Sequence, residues 1–191
     1  MPLEKAIEKD LIKKLPRLLE NVQVVSISDY NKGFLSKEFL KEIITLSNEK
    51  NIPCIIDPKG LNFSKYKNAT ILKPNLIEAY SACNLSYKHP LEKVAKYLKK
   101  ITNIKNLIIT KSEDGITVFD ENMQRKDFPV LLKEVKDVTG AGDTVLATLV
   151  VCVGNKFPIA QSVSIANISA GIAIEHIGCM IVKVEDIAER L

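Results

Sequence analysis

Short apolar segments alternate with amphipathic ones along this chain of 191 residues. Helical spacing of the apolar positions predicts helices at 3–20, 36–50, a segment opened by Asn75, 89–102, 142–153 and 158–176. Apolar or β-branched runs predict strands at 22–28, 53–56, 69–72, 106–110 and 116–119, with a further extended piece up to Val138. Short buried strands separated by helices indicate an α/β fold with a mainly parallel sheet covered by helices on both faces.

The composition fits one folded unit. Apolar residues make up 46% of the chain and charged residues 26%, the balance of a soluble globular protein. The sequence shows no internal repeat, no low-complexity tract and no linker rich in Pro, Gly or Ser. We therefore predict a single domain over residues 1–191, a length that suits one α/β domain or a large part of one.

The charge pattern argues against a nucleic-acid partner. The net charge of +4 comes from 27 Lys and Arg against 23 Asp and Glu, and these residues are scattered rather than gathered in a basic stripe. The arginines, which supply bidentate contacts to bases, are few: Arg17, Arg125 and Arg190.

Cysteine usage and hydropathy favour the cytoplasm. The cysteines lie far apart, without metal-ligand spacing, at Cys54, Cys83, Cys152 and Cys179. The charged, amphipathic start differs from a signal peptide, and the longest strongly apolar run, 145–153, is too short to cross a bilayer. We expect a cytoplasmic protein without a membrane partner.

Polar clusters follow four of the predicted strands. They read DYNKG at 29–33, DPKG at 57–60, KPN at 73–75 and KSEDG at 111–115. In open parallel sheets, ligands bind beyond the carboxyl ends of the strands. These four loops are therefore expected to line one rim.

The most informative segment is DVTGAGDT at 137–144, directly before an apolar helix. Gly140 and Gly142 allow a tight bend with exposed N–H groups, and the helix directs its positive end to the same place, which favours an anion cradle. Asp143 in the first turn could accept a proton from a hydroxyl that attacks a bound phosphate. The alternative is a simple helix entry in which Asp143 only complements the helix dipole.

Three further candidates have equally ordinary structural alternatives. Asn75 and Glu78 could organise a hydrated magnesium ion, or form a helix capping box with no ligand. Ser112 and Gly115 belong either to a nucleotide-binding loop or to a polar connection between strands. Asn167 lies on a predicted apolar helix, where a hydrogen-bonded core amide competes with an adenine contact.

The order of these clusters resembles the PfkB, or ribokinase-like, family of ATP-dependent sugar kinases. The resemblance rests on KPNLIE at 73–78, residues 110–115, residues 137–144 and Ala166-Asn167, and it covers nearly all of the chain from about Val22. Together with SDYNKG at 28–33 and DPKG at 57–60, these motifs look most like the heptose 7-phosphate kinases of the family. The resemblance implies a ribokinase-like fold, with ATP and Mg²⁺ as cofactors and a sugar phosphate as substrate. It implies conversion of heptose 7-phosphate to the 1,7-bisphosphate in lipopolysaccharide core precursor synthesis.

The resemblance also implies roles for individual residues. Asp143 matches the catalytic base, and the backbone of Gly140, Ala141 and Gly142 matches the anion hole for the transferred group. Asn75 and Glu78 match the pair that organises magnesium through water. The remaining matches are Thr110, Ser112 and Gly115 in the nucleotide loop, Asn167 on the adenine side, and Asp29 and Lys59 on the substrate side.

The sequence departs from the family pattern at its N-terminal end. Family members carry N-terminal strands, a small β lid and most sugar contacts ahead of the point that corresponds to Met1. The alternative hypothesis is therefore a truncated or split-gene remnant that binds nucleotide without catalysing a reaction alone. A homodimer, or a separate N-terminal fragment as partner, is the corresponding expectation, because an uncovered sheet edge favours association.

Overall fold

The computed structural model describes residues 3–130 and 135–191. In this part of the chain the helices are α1 (Lys5–Leu18), α2 (Lys37–Glu49), α3 (Leu76–Ala82), α4 (Leu91–Thr102), α5 (Ala141–Gly154), α6 (Ile159–Ile174) and α7 (Val184–Ala188). The strands are β1 (Val25–Ser28), β2 (Cys54–Asp57), β3 (Ile71–Leu72), β4 (Asn106–Thr110), β5 (Ile116–Phe119) and β6 (Arg125–Phe128). Two short 3-10 helices lie at Phe63–Tyr66 and Ser112–Asp114.

The chain divides into two compact units, and the first comprises Met1–Ile109 and Phe119–Gln124. Its strands β1, β2, β3 and β4 follow one another in the sheet, and each neighbouring pair is parallel. The register places Val25 opposite Cys54 and Ile71 opposite both Ile55 and Asn106. The predicted parallel α/β arrangement is therefore confirmed.

The burial of the strands shows which faces are covered. All four residues of β2 are buried, as expected for a strand with a covering layer on each face. In β1, by contrast, Val25 and Ile27 are buried while Ser26 and Ser28 are exposed. The N–H groups of Val25 and Asp29 bond to the carbonyls of Pro53 and Asp57 on the β2 side. In a parallel ladder the alternate residues, Ser26 and Ser28, consequently turn their backbone groups to the outer edge.

The core of the first unit is formed by the sheet, by one face of α2 and α4, and by the 3-10 helix Phe63–Tyr66. Leu40 and Ile44 of α2, and Phe63 and Tyr66, are among its fully buried side chains. Ser36 caps α2 by accepting the Phe39 N–H at 3.0 Å, at the start of the helix that the sequence predicts over 36–50. Single buried stripes on α2 and α4 explain why the apolar spacing predicted both helices correctly.

Asparagine ends several helices of this unit. Asn51 follows α2 with φ 56°, Asn84 follows α3 with φ 51° and Asn103 caps α4 with φ 52°. These left-handed conformations are disfavoured for most L-residues, and Asn tolerates them better than other residues that carry a Cβ.

The second unit comprises Thr110–Val118 and Arg125–Leu191. Here β5 and β6 are neighbours in the sheet order, and α5 packs against α6. Leu149 of α5 and Val163 of α6 are buried. Both long predicted helices are confirmed. The predicted extended piece up to Val138 contains β6, whereas its residues 131–134 lie outside the described part.

Sequence reasoning misplaced some boundaries and missed some elements. The strand predicted at 22–28 begins only at Val25, where pairing with β2 starts, and Asn21 before it has φ 59°. The 3-10 helix Phe63–Tyr66 and α7 were not predicted, because each is shorter than two helical turns and shows little periodicity. In the described residues, no helix combines the length and the apolar character that membrane crossing requires.

Candidate functional site

The ends of three strands carry the polar residues of the first unit. Asp29 follows β1, Asp57 is the last residue of β2 and Lys73 follows β3. The parallel register sets Ser28 opposite Asp57 and Ile56 opposite Leu72, so the three strand ends lie at one edge. For these three loops, the predicted placement at the carboxyl edge is confirmed.

Asp29 is a buried and fully engaged carboxylate. It is 4% exposed; its Oδ1 accepts the Asn31 N–H at 2.7 Å, and its Oδ2 accepts bonds from Lys65 Nζ and the Tyr66 hydroxyl, both at 2.7 Å. Burial opposes its ionisation and is the largest single influence, but the hydrogen bonds from Lys65, Tyr66 and the Asn31 N–H, together with the charge of Lys65, outweigh it and lower the pKa of Asp29. The geometry makes Asp29 a brace for the loop after β1; a direct substrate contact stays a prediction.

Tyr66 links the loop after β1 to the loop after β2. Its hydroxyl donates to Asp29 and accepts the Lys59 N–H at 3.4 Å. The loops also touch directly, since a Cβ on Gly60 would lie 2.8 Å from Nδ2 of Asn31. The backbone of Lys59 is thus held in place by a buried side chain.

We predict that Asp29→Asn lowers the free energy of unfolding by about 2–3 kcal/mol near neutral pH, because it removes the carboxylate that compensates the mostly buried Lys65. Urea unfolding measures the change. Asp10→Asn is the matched control: Asp10 pairs with Lys14 where both side chains are 60% exposed, and the expected loss is under about 0.5 kcal/mol.

The pH dependence of the Asp29 effect has a definite sign. A carboxyl whose pKa is lowered by folding stabilises the protein above its unfolded pKa of about 4 and loses that contribution as the pH falls through the folded value. The difference in the free energy of unfolding between wild type and Asp29→Asn is therefore expected to become smaller below about pH 4. If this stability difference stayed constant down to about pH 2, the ionised Asp29 carboxylate would not be the group that stabilises the loop.

Asn75 and Glu78 form the predicted capping box at the start of α3. Asn75 Oδ1 accepts the Glu78 N–H at 2.8 Å, and Glu78 Oε2 accepts the Asn75 N–H at 2.9 Å. Glu78 Oε1 also pairs with Lys59 Nζ. The Glu78 carboxylate therefore caps a helix and faces a cation from the neighbouring loop.

A second ion pair lies at the same edge. Lys73 Nζ is 3.2 Å from Asp57 Oδ2, and the two side chains are 3% and 12% exposed. Burial raises the pKa of Asp57, and the charge of Lys73 offsets part of this rise. Asp57, Lys59, Lys73 and Glu78 thus form a cluster of two carboxylates and two ammonium groups. Sequence reasoning gave Lys73 no role, although a lysine directly after a buried strand and before Pro74 was a usable signal.

The glycine-containing loop of the second unit is braced by Asp137. Its Oδ1 accepts bonds from the Thr139 hydroxyl at 2.7 Å and the Thr139 N–H at 2.9 Å, and its Oδ2 accepts the Gly178 N–H at 2.9 Å. These bonds, the Thr139 hydroxyl foremost, lower the pKa of Asp137. The loop is consequently tied to the segment that follows α6.

Gly140 is the N-cap of α5 and adopts φ 79°, a left-handed conformation that suits glycine. The Ala141 N–H donates to the Val138 carbonyl at 3.2 Å, whereas the N–H groups of Gly142 and Asp143 have no acceptor within the helix, as in any first turn. Gly142 and Asp143 are both exposed. The carboxylate and two N–H donors are therefore presented at the start of a long helix.

The predicted nucleotide loop is a tight turn between β4 and β5. Thr110 is half-buried and Ser112 exposed; the Lys111 N–H donates to the Gly115 carbonyl at 2.7 Å, and Gly115 has φ 78°. Asn167 Nδ2 donates to the carbonyl of Pro129 at 2.8 Å. The amide NH₂ group of Asn167 therefore binds the segment that follows β6. An adenine contact through Asn167 stays a prediction.

Comparison with known proteins gives a consistent result. The model of the pfkB family carbohydrate kinases matches residues 3–186. The bifunctional protein HldE of Campylobacter curvus is 42% identical over 187 residues, which are 97% of this chain and 40% of that protein. HldE of Campylobacter concisus is 45% identical over 169 residues, or 87% of this chain and 35% of its own. The chain thus spans about two fifths of the length of these curated relatives.

Two solved structures share the fold. Phosphofructokinase-2 from Escherichia coli in complex with potassium superposes with a TM-score of 0.84 at 18% identity, over 99% of this chain and 63% of its own. Ribokinase from Arabidopsis thaliana, complexed with ribose and ATP, gives a TM-score of 0.73 at 16% identity, over 93% of this chain and 55% of the ribokinase chain. The ribokinase-like α/β fold expected from the sequence is confirmed.

Proposed function

The chain belongs to the pfkB family of carbohydrate kinases, and on this basis we propose that it transfers the terminal phosphoryl group of ATP to a hydroxyl of heptose 7-phosphate, giving the 1,7-bisphosphate. The heptose acceptor is the one that the sequence motifs imply, and identities of 42% and 45% to HldE proteins support the same subfamily. The observation that carries the proposal is the exposed Asp143 carboxylate beside the N–H donors at the start of α5.

In the proposed reaction Asp143 acts as the general base. The acceptor hydroxyl oxygen forms a bond to the terminal phosphorus, the bond from that phosphorus to the ADP oxygen breaks, and the hydroxyl proton passes to the Asp143 carboxylate. The predicted anion hole is the backbone of Gly140, Ala141 and Gly142. Because the Ala141 N–H is bonded to the Val138 carbonyl, we assign the N–H groups of Gly142 and Asp143 to the negative charge on the transferred group, which the helix dipole also favours. Gly140 allows the chain to enter α5 at φ 79°, and a Cβ there would lie 3.1 Å from Cys179 Sγ.

Asn75 and Glu78 would hold the magnesium ion that accompanies ATP. Their donors are amide and carboxylate oxygens, which suit a hard cation. Within the described residues no group of three or more His, Cys, Asp or Glu side chains is placed to hold a metal ion. When bound, the ion would neutralise phosphate charge. Lys59 adds a cation beside Glu78, while Ser112, with the turn closed by Gly115, is assigned to the nucleotide.

A phosphoryl-transfer assay of the purified chain with Mg·ATP tests the function. Heptose 7-phosphate is expected to give a kcat/KM at least about tenfold above fructose 6-phosphate and ribose, because a site that hydrogen-bonds its own acceptor strongly rejects analogues. Equal rates for all acceptors would contradict the heptose assignment. Thermal protection by Mg·ATP without any transfer would favour the nucleotide-binding alternative. The cytoplasmic location and the homodimer stay predictions.

A further inference from the structure

The Glu78 carboxylate already has a cation, Lys59 Nζ, at the place where the proposed function requires a divalent metal. Resting on that function, we propose that Lys59 is a resident counterion of Glu78 that excludes a lone divalent cation and turns to a nucleotide phosphate when metal and nucleotide arrive together. Lys59 would then be a positioning residue that makes metal binding depend on the nucleotide.

The two partners of this ion pair differ in how firmly they are held. Glu78 is 14% exposed, and its second carboxylate oxygen is fixed by the Asn75 N–H at 2.9 Å. The Lys59 side chain is 43% exposed, although its backbone N–H lies 3.4 Å from the buried Tyr66 hydroxyl. A flexible ammonium on an anchored backbone can leave Glu78 without displacing the loop.

The neighbouring ion pair makes Lys59 the adaptable cation of the cluster. Lys73 is 3% exposed and lies 3.2 Å from Asp57, so this pair is buried and costly to separate. The formal charges of Asp57, Lys59, Lys73 and Glu78 sum to zero. A divalent cation alone would add two positive charges beside two ammonium groups, whereas a cation that arrives with ATP brings negative phosphate charge that attracts the same ammonium groups.

Titration of the full chain with Mn²⁺, followed by electron paramagnetic resonance, tests the proposal without using activity. Lys59→Met is expected to bind Mn²⁺ alone about tenfold more tightly than wild type, and Mn²⁺ with ATP about tenfold more weakly. The matched control is Lys41→Met on the exposed face of α2, which should match wild type in both titrations. Lys59→Arg keeps the charge and should also stay close to wild type.

The opposite signs of the two effects make the test decisive. Mn²⁺ affinity that is equal in Lys59→Met and wild type, or undetectable in both, would overturn the counterion role even if Mn²⁺·ATP binds normally. The counterion role would also be wrong if the double variant Lys59→Met/Glu78→Gln kept the tighter binding, because Glu78 is the group that Lys59 shields. Failure of wild type to bind Mn²⁺·ATP, with the Mn²⁺-alone effect intact, would instead count against the proposed function.

Discussion

Asp143→Asn is expected to lower kcat for phosphoryl transfer by about 100-fold to 10,000-fold, the usual contribution of a general base. The amide keeps the size of the side chain but cannot take the proton of the acceptor hydroxyl. Nucleotide affinity is expected to stay within about threefold of wild type, because the backbone N–H groups at the start of α5 are unchanged. Steady-state kinetics together with a nucleotide titration measure both quantities.

The control for Asp143→Asn addresses the simpler alternative, in which the carboxylate only complements the helix dipole. Glu38 occupies the first turn of α2 and is exposed, as Asp143 is in α5. Glu38→Gln therefore makes the equivalent change at another helix start and should cost at most about 1 kcal/mol of stability, with no loss of activity. If Asp143→Asn changed stability by a similar amount and left kcat intact, the base assignment would be wrong.

Gly115→Ala is expected to destabilise the protein by about 3–5 kcal/mol, a loss typical of severe backbone strain and overpacking. An added Cβ would collide with the Phe128 carbonyl oxygen and lie 2.9 Å from the Val130 N atom, and φ 78° is itself unfavourable for alanine. Both neighbours are backbone atoms, so no side chain can rotate away. Thermal and urea unfolding provide the measurement.

Gly171→Ala on α6 is the matched control for Gly115→Ala. Among the described residues, apart from the backbone of its own helix, no atom lies within 4 Å of a Cβ built on Gly171, and its position inside a helix favours alanine. A gain of about 0.5–1 kcal/mol is expected from the higher helix propensity of alanine. A loss at Gly171 as large as that at Gly115 would show that neither change reports on the turn between β4 and β5.

Local chemistry made much of the fold predictable. Ser36 before α2 and Asn75 before α3 mark helix starts through side-chain bonds to backbone N–H groups only three residues away. The apolar strand cores at 106–110 and 116–119 coincide with β4 and β5. At the two helix starts the stabilising partner lies within the same short segment, so neighbouring residues suffice to predict the element. The strands pair with distant segments, as β4 does with β3, but their apolar, β-branched composition is itself a local signal.

The less predictable parts of the site depend on contacts between distant segments. Lys65 and Tyr66 reach Asp29 across 36 and 37 residues, and Lys59 meets Glu78 across 19. No spacing rule connects such residues, because the sheet register determines which loops meet. The sequence therefore predicted a substrate contact for Asp29, which stays a prediction, and gave no sign of the three internal donors that its carboxylate accepts.

The asparagines that follow α2, α3 and α4 limit which substitutions these positions can accept. At Asn51, Asn84 and Asn103 the positive φ restricts which residue types fit. Replacement by glycine should change the stability little, whereas a β-branched residue would be destabilised by steric clashes with the backbone. We therefore expect glycine and aspartate to be the best-tolerated replacements at these positions, whereas the amphipathic helix faces should accept any residue of matching polarity. On steric grounds we expect the ends of these helices to accept fewer residue types than the exposed helix faces.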